Sequence, residues 1–150
     1  MTSDQIGIDP RGPRCAAAVT AAVLGVALVG IESWAFPALV AVQAVVAGLG
    51  ALLGISAQPY VWVYDHAFAE RFGAPHRLEL PAGPRTAQAI AAVLLVVGLA
   101  AWFLGFSLTA ATCVAAVWVV ALTLAVSGYC MGCETHSVWR DVRAHLLTRS

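Results

Sequence analysis

Four long runs of apolar residues dominate this sequence and limit what the chain can fold into. They cover residues 15–31, 35–55, 86–106 and 108–128. Each is close to the roughly 17–25 residues that an α-helix needs to cross the hydrocarbon core of a bilayer. Charged residues make up 11% of the 150 residues and hydrophobic residues 61%, whereas soluble domains carry about 25% charged residues. The sequence therefore predicts an all-α integral membrane protein, a bundle of four transmembrane helices in contact with the lipid bilayer.

The positions of the arginines predict the orientation of these helices. Every basic residue is an arginine, and the two short connectors, around Glu32 and Gly105, contain none. The arginines are Arg11, Arg14, Arg71, Arg77, Arg85, Arg140, Arg143 and Arg149. With four spans they all fall on one side, so the positive-inside rule predicts that both termini are cytoplasmic. The formal net charge is zero, and no basic patch suggests a nucleic acid as a partner.

The composition divides the chain into three parts. We expect a cytoplasmic N-terminal arm over residues 1–14, a four-span membrane domain over residues 15–136 and a cytoplasmic amphipathic tail over residues 137–150. Helical spacing of apolar residues predicts two interfacial amphipathic helices on the cytoplasmic side. Their apolar faces would be Val61, Tyr64, Phe68 and Phe72 in the first helix, and Val138, Trp139, Val142 and Leu146 in the second.

An internal repeat is visible in the sequence. Gly12-Pro13-Arg14 recurs 71 residues later as Gly83-Pro84-Arg85, and each triplet opens an apolar run. The same offset matches Ala16, Ala18, Ala21, Leu24, Val26 and Leu28 with Ala87, Ala89, Ala92, Leu95, Val97 and Leu99. Each unit contains two spans, so the repeat predicts two parallel helical hairpins related by a pseudo-two-fold axis along the membrane normal.

A Cys-x-x-Cys pair, Cys130 and Cys133, follows the fourth apolar run. Two thiols at this spacing are able to form a disulfide, and the thiolate is the reactive form. The cytoplasm keeps thiols reduced, so a permanent structural disulfide is not expected there. We therefore take Cys130 and Cys133 as a candidate redox pair for thiol redox or sulfur handling, with a thioredoxin-like or sulfur-carrier protein as the cytosolic partner.

Two alternatives remain open for these cysteines. Cys130, Cys133 and His136 could supply three ligands to zinc or iron, with the fourth from another His or from Glu134. Cys-x-x-Cys-x-x-His alone is a weak signal, because structural zinc usually takes a second ligand pair at a fixed distance. Alternatively, the cysteines are structural and the protein is a non-catalytic membrane subunit or scaffold. The sequence does not decide whether the protein is an enzyme, and it indicates no other cofactor.

Several other polar or small residues carry expectations of their own. Arg14 and Arg85, equivalent in the repeat, either snorkel at span ends or bind an anion such as sulfate. Gly50 and Gly54 form a Gly-xxx-Gly pair that packs helices inside the bundle or in a homo- or hetero-oligomer. Gln43 should hydrogen-bond across helices. No span has a charged residue near its centre, which argues against an ion pump.

The assembled motifs resemble those of the DUF4395 family, small bacterial membrane proteins of unassigned function. The resemblance rests on Asp9-Pro10-Arg11-Gly12-Pro13-Arg14, Pro59-Tyr60, Pro84-Arg85-Thr86-Ala87-Gln88 and Cys130-Met131-Gly132-Cys133-Glu134. It extends over nearly the whole chain and implies a multi-pass protein of the bacterial inner membrane. It implies no reaction.

Overall fold

The computed structural model describes residues 9–68, 71 and 82–128, and every regular element within them is helical. The helices are α1 (Arg11–Val29), α2 (Ala35–Leu53), a 3-10 turn (Ile55–Ala57), α3 (Pro59–Ala67), α4 (Ala82–Phe103) and α5 (Ser107–Ser127). Four of them, α1, α2, α4 and α5, are long and apolar enough to cross a membrane, with mean hydropathy between 1.7 and 2.2. The predicted all-α fold with four spans is confirmed. The predicted tail helix and Cys130, Cys133 and His136 lie outside the described residues.

Helix α1 begins earlier than the apolar pattern indicates. It starts at Arg11, whose backbone N–H donates to Asp9 Oδ1 at 2.9 Å. This bond satisfies one of the N–H groups that a helix start leaves without an intrahelical partner. Pro13 is tolerated in the first turn because its missing N–H would have no acceptor there. Residues 11–14, which the sequence pattern assigns to the N-terminal arm, therefore form the first turn of α1.

The packing of the four long helices follows the sequence repeat. Helix α2 packs most extensively against α4, and α1 packs most extensively against α5. The 71-residue offset equates α1 with α4 and α2 with α5, so these two interfaces are equivalents of each other. The equivalent residues Leu24 and Leu95 are 0% and 1% exposed. This arrangement is the one expected for two parallel hairpins around a pseudo-two-fold axis.

Small residues allow close contact between neighbouring helices. A Cβ atom on Gly25 would lie 3.2 Å from the Trp118 indole nitrogen, and that nitrogen donates to the Ala21 carbonyl at 2.9 Å. A Cβ on Gly98 would lie 3.2 Å from the Cβ of Cys113. Close approach of this kind stabilises helix pairs in lipid through van der Waals contact.

Helix α3 is amphipathic, as predicted, and docks on the start of α1. Val61 and Tyr64 are buried, and a Cβ on Gly12 would lie 3.2 Å from Val61 Cγ1 and 3.6 Å from the Tyr64 ring. Phe68, expected on the same face, is exposed, and Phe72 is outside the described ranges. The buried face of α3 is therefore narrower than the sequence pattern suggests.

The opposite end of the bundle is aromatic. Trp102 donates its indole N–H to the Ile31 carbonyl at 2.8 Å, which ties the α1–α2 connector to α4. Its ring contacts Trp34 and Phe103 edge-on, with centroids 5.6 and 5.2 Å away. Exposed Trp rings at helix ends are typical of a membrane–water interface.

Candidate functional site

One end of the bundle collects both candidate anion-binding arginines. Arg85, in the first turns of α4, donates from Nε to the Ala51 carbonyl at 2.8 Å and from Nη2 to the Leu52 carbonyl at 3.1 Å. Both carbonyls belong to the last turn of α2, where no intrahelical N–H reaches them. The guanidinium also faces the negative end of the α2 dipole. Arg85 therefore caps helix α2.

Arg14 lies at the corresponding place on the other hairpin. A Cβ on Gly128 would stand 3.1 Å from Arg14 Cζ, and Gly128 ends α5 in the left-handed conformation at φ 72°. Each arginine thus reaches the C-terminal end of a helix in the other hairpin, which the snorkelling interpretation did not anticipate. Arg14 is exposed, whereas Arg85 is partly buried.

The predicted Cys-x-x-Cys site lies outside the described residues. Cys130, Cys133 and His136 lie beyond Gly128, so their geometry as a redox pair or as metal ligands stays a prediction. Over residues 9–68, 71 and 82–128, no group of three or more His, Cys, Asp or Glu side chains is placed to hold a metal ion. Two other cysteines, Cys15 and Cys113, are described as free thiols, both partly buried.

Gly50 and Gly54 serve separate purposes inside the fold. Gly50 is buried, and a Cβ there would lie 3.2 Å from Gln88 Cγ on α4. Gly54 follows the end of α2 with φ 99°, a conformation that side-chain-bearing residues rarely adopt. Gly50 therefore packs the α2–α4 interface, as the internal-packing interpretation expects, and Gly54 ends the helix.

A polar network crosses the interior of the bundle. Thr20 on α1 donates to Gln43 Oε1 at 3.4 Å, and Gln43 Nε2 donates to the Tyr60 hydroxyl on α3 at 3.0 Å. Gln43 is 1% exposed, and these two bonds confirm the prediction that it bonds across helices. The hydrogen bond to Tyr60 was not predicted, because its hydroxyl reaches Gln43 only after the chain turns back at residues 54–58.

A cavity of about 70 Å³ lies beside this network, between the four long helices. Thr20, Gln43, Gln58 and Gln88 supply its polar lining. Gln58 is 1% exposed, although it follows the 3-10 turn in a connecting segment. The cavity was not predicted from the sequence. Its local signal was the occurrence of Thr20, Gln43 and Gln88 within otherwise apolar runs.

Titratable groups cluster where α3 meets the start of α1. Burial raises the pKa of Tyr64, and the nearby Asp9 charge adds to this while Arg11 opposes it. Asp65 is an exposed residue, but partial desolvation of its carboxyl raises its pKa, with Asp9 reinforcing and His66 opposing the shift. His66 stacks on Trp62 with ring centroids 4.3 Å apart. A change in the charge of Asp65 therefore alters the electrostatics where α3 meets the start of α1.

Comparison with known proteins gives a family and no activity. No curated protein and no solved structure matches the chain. A family profile described as "Domain of unknown function (DUF4395)" matches residues 8–141, from just before helix α1 to beyond Cys133. Since the match covers most of the chain, the protein belongs to the DUF4395 family.

Proposed function

We propose that this chain is a multi-pass protein of the bacterial inner membrane that uses Cys130 and Cys133 for thiol redox or sulfur exchange. Both termini would be cytoplasmic, and the partner would be a thioredoxin-like or sulfur-carrier protein. The observation that supports this best is the position of the Arg14 guanidinium, whose Cζ lies 3.1 Å from where a Cβ on Gly128 would be. It puts a positive charge at the end of α5 from which the chain continues to the thiols.

In the sequence, Cys130 follows Gly128 by two residues, so the thiols come soon after the helix end beside which Arg14 lies. A cation near a thiol favours the thiolate and lowers the thiol pKa. Glu134 opposes this effect, because a neighbouring carboxylate disfavours the thiolate.

The chemistry of such a pair follows from thiol–disulfide exchange. One thiolate attacks a disulfide sulfur of the partner, forms a mixed disulfide and releases the partner's other sulfur as a thiolate. The second cysteine, once deprotonated, attacks that mixed disulfide. This leaves a Cys130–Cys133 disulfide and transfers two electrons to the partner. In sulfur transfer, a thiolate would attack the terminal sulfur of a carrier persulfide, taking that sulfur and releasing the carrier thiolate.

The electrostatic part of the proposal is testable by alkylation kinetics. In a background with Cys15 and Cys113 replaced by Ser, we expect Arg14→Gln to raise the thiol pKa and slow alkylation near neutral pH by about twofold to fivefold. Alkylation rates at pH values well above the thiol pKa should be unchanged, because the thiolate is then fully formed. Arg85→Gln is the matched control, since Arg85 is bonded to the α2 carbonyls. Identical pH profiles for wild type and Arg14→Gln would remove this support.

The reaction itself needs a separate measurement. The Cys130–Cys133 pair should equilibrate with glutathione buffers as a two-electron couple, and the Cys133→Ser or Cys130→Ser variant should trap a mixed disulfide with purified thioredoxin. Failure of both single variants to trap a partner, together with failure to receive sulfur from a persulfide carrier, would overturn the proposed function.

Orientation is tested with a membrane-impermeant maleimide. We expect labelling of Cys130 and Cys133 in inverted vesicles and none in intact cells. Labelling of intact cells would put the thiols on the outer face and replace the cytosolic partner by an extracytoplasmic one.

The scaffold and metal alternatives predict different results for the Cys130→Ser, Cys133→Ser double variant. If the cysteines are structural, the double variant should lose membrane abundance. If they carry chemistry, abundance should be retained and thiol exchange lost. A site formed by Cys130, Cys133 and His136 requires stoichiometric zinc or iron in purified wild-type protein, which elemental analysis measures.

A further inference from the structure

We propose that the cavity between the four long helices is a binding site for a small uncharged molecule that both donates and accepts hydrogen bonds. The inference is independent of the thiol chemistry proposed above. It depends on the position of the cavity, the distribution of polar residues around it and the kind of groups that line it.

The cavity is lined by equivalent residues of the two hairpins, as expected for a space on the pseudo-two-fold axis. Residues that are 71 positions apart in the sequence line it from both hairpins: Pro13 with Pro84 and Val46 with Val117. All four long helices contribute to its lining, so the cavity belongs to the interface between the two hairpins and not to either one. Ligand sites of repeat-built membrane proteins lie at this kind of interface between repeats.

The repeat equivalence breaks at the polar positions of the same cavity. Thr20 and its equivalent Ala91 both line the cavity, and so do Gln88 and its equivalent Ala17. Each hairpin thus contributes a polar side chain where the other has alanine. Packing would be served by apolar residues at all four positions, because polar side chains inside a membrane need internal partners. The small alanines leave the space, and the polar residues line it.

The lining groups determine the chemical class of the ligand. Thr20, Gln43, Gln58 and Gln88 supply hydroxyl and amide groups, which offer both donors and acceptors. Gln43 uses one of its two amide N–H groups on Tyr60. No Asp, Glu, Lys or Arg among the residues that the structure describes lines the cavity. A charged ligand would therefore be desolvated without a counter-charge, which is costly in a low-dielectric interior. The site selects a neutral molecule.

The volume limits the size of this molecule. One water molecule needs a cavity volume of roughly 10–15 Å³. A cavity of about 70 Å³ therefore accommodates a molecule on the order of five non-hydrogen atoms. Acetamide, with an amide donor and acceptor and a methyl group, is a suitable probe. Acetate has nearly the same shape and carries a charge, so it is the matched negative probe.

The test is a melting-temperature titration of the purified full-length protein in detergent. We expect acetamide to raise Tm saturably, with half-maximal effect on the order of 10 mM, as ligand efficiency allows for so small a molecule. Sodium acetate at the same ionic strength should have no saturable effect. The variant Ala91→Leu fills the cavity from α4 and should abolish the acetamide response. Ala89→Leu adds the same volume at an exposed position of α4 and should retain it.

Each other outcome would count against the site. An absent acetamide response in wild type overturns the proposal, and so does an equal response in Ala91→Leu, which would indicate a general solvent effect. An equal response to acetate would overturn the selection for neutral molecules. If Ala91→Leu fails to fold, Thr20→Ala and Gln88→Ala serve in its place. Each removes a polar lining group and should raise the half-maximal acetamide concentration several-fold.

Discussion

The two helical hairpins share a backbone plan and differ in their polar side chains. Both place a buried leucine at the centre of the bundle, Leu24 in the first and Leu95 in the second. Both begin with a buried glycine of the Gly-Pro-Arg triplet. The arginine of each triplet reaches the C-terminal end of a helix in the other hairpin. These shared positions are the ones that hold the bundle together.

The unshared positions are where specific chemistry is found. Gln43 in α2 corresponds to Val114 in α5, and Thr20 in α1 corresponds to Ala91 in α4. The first hairpin therefore supplies the bonded core of the polar network. The second hairpin leads into Cys130 and Cys133, whose equivalents after the first are Pro59 and Trp62. The comparison teaches that a repeat can supply a scaffold while its departures from symmetry supply candidate sites.

The largest effect should come from the shared leucines. Leu24→Ala and Leu95→Ala each delete a buried side chain, and we expect each to lower the free energy of unfolding by about 2 kcal/mol. This value counts only the cavity term, because the unfolded helices remain in lipid or detergent and little transfer from water is involved. SDS-driven unfolding followed by tryptophan fluorescence measures the loss. Losses that differ by more than about 1 kcal/mol would contradict the equivalence of the two positions.

The two arginines should differ more than the leucines. Arg85→Gln removes two charge-assisted bonds to helix carbonyls, with an expected loss of about 1.5 kcal/mol. Arg14→Gln removes an exposed cation from the end of α5, with an expected loss below about 1 kcal/mol. Arg85→Lys should recover only part of the loss, since one ammonium group does not reproduce the planar pair of donors. Equal losses for Arg14→Gln and Arg85→Gln would show that the two ends are capped alike.

A third prediction replaces a polar residue by its repeat equivalent. Gln43→Val introduces the residue of α5 and removes the bonds to Thr20 and Tyr60. Hydrogen bonds within membranes contribute about 0.6 kcal/mol on average, so we expect a loss of about 1 kcal/mol in the same unfolding assay. Tyr60→Phe removes only the second of these bonds and should cost about half as much, with little change in packing volume. If neither variant changed the free energy of unfolding, the hydrogen bonds of Gln43 would not stabilise the fold, and ligand binding would be their remaining role.

The sequence predicted the fold to within a few residues of each helix end, because long apolar runs and Gly-Pro-Arg repeats are local signals. The start of α1 was missed since its first turn is polar and is held by the Asp9 carboxylate. Three further features were missed: the burial of Gln58, the hydrogen bond between Gln43 and Tyr60, and the cavity between the four long helices. They arise from contacts between segments far apart in the chain, which no local pattern encodes. The redox assignment of Cys130 and Cys133 stays a prediction.

The smallest expected effect concerns the helix that follows the first hairpin. The pKa of Asp65 on α3 is raised above its ordinary value, first by partial desolvation of the carboxyl and then by Asp9. A carboxyl group with a higher pKa in the folded state binds its proton more tightly there, so its contribution to stability is fully present below the unfolded pKa. That contribution is lost as the pH rises through the raised value.

Asp65→Asn should therefore stabilise the protein at neutral pH and leave its stability in acid unchanged. Because Asp65 is exposed, the gain is small, on the order of 1 °C in Tm. Melting curves between about pH 3.5 and pH 7.5 measure it, with the wild-type and variant curves converging at the acidic end. Asp9→Asn, which keeps an acceptor for the Arg11 N–H, should recover part of the same gain by removing the second cause of the shift. If Asp65→Asn instead melted below wild type at neutral pH, with the two curves again converging in acid, the sign would be reversed and the carboxylate of Asp65 would be shown to hold α3 on α1.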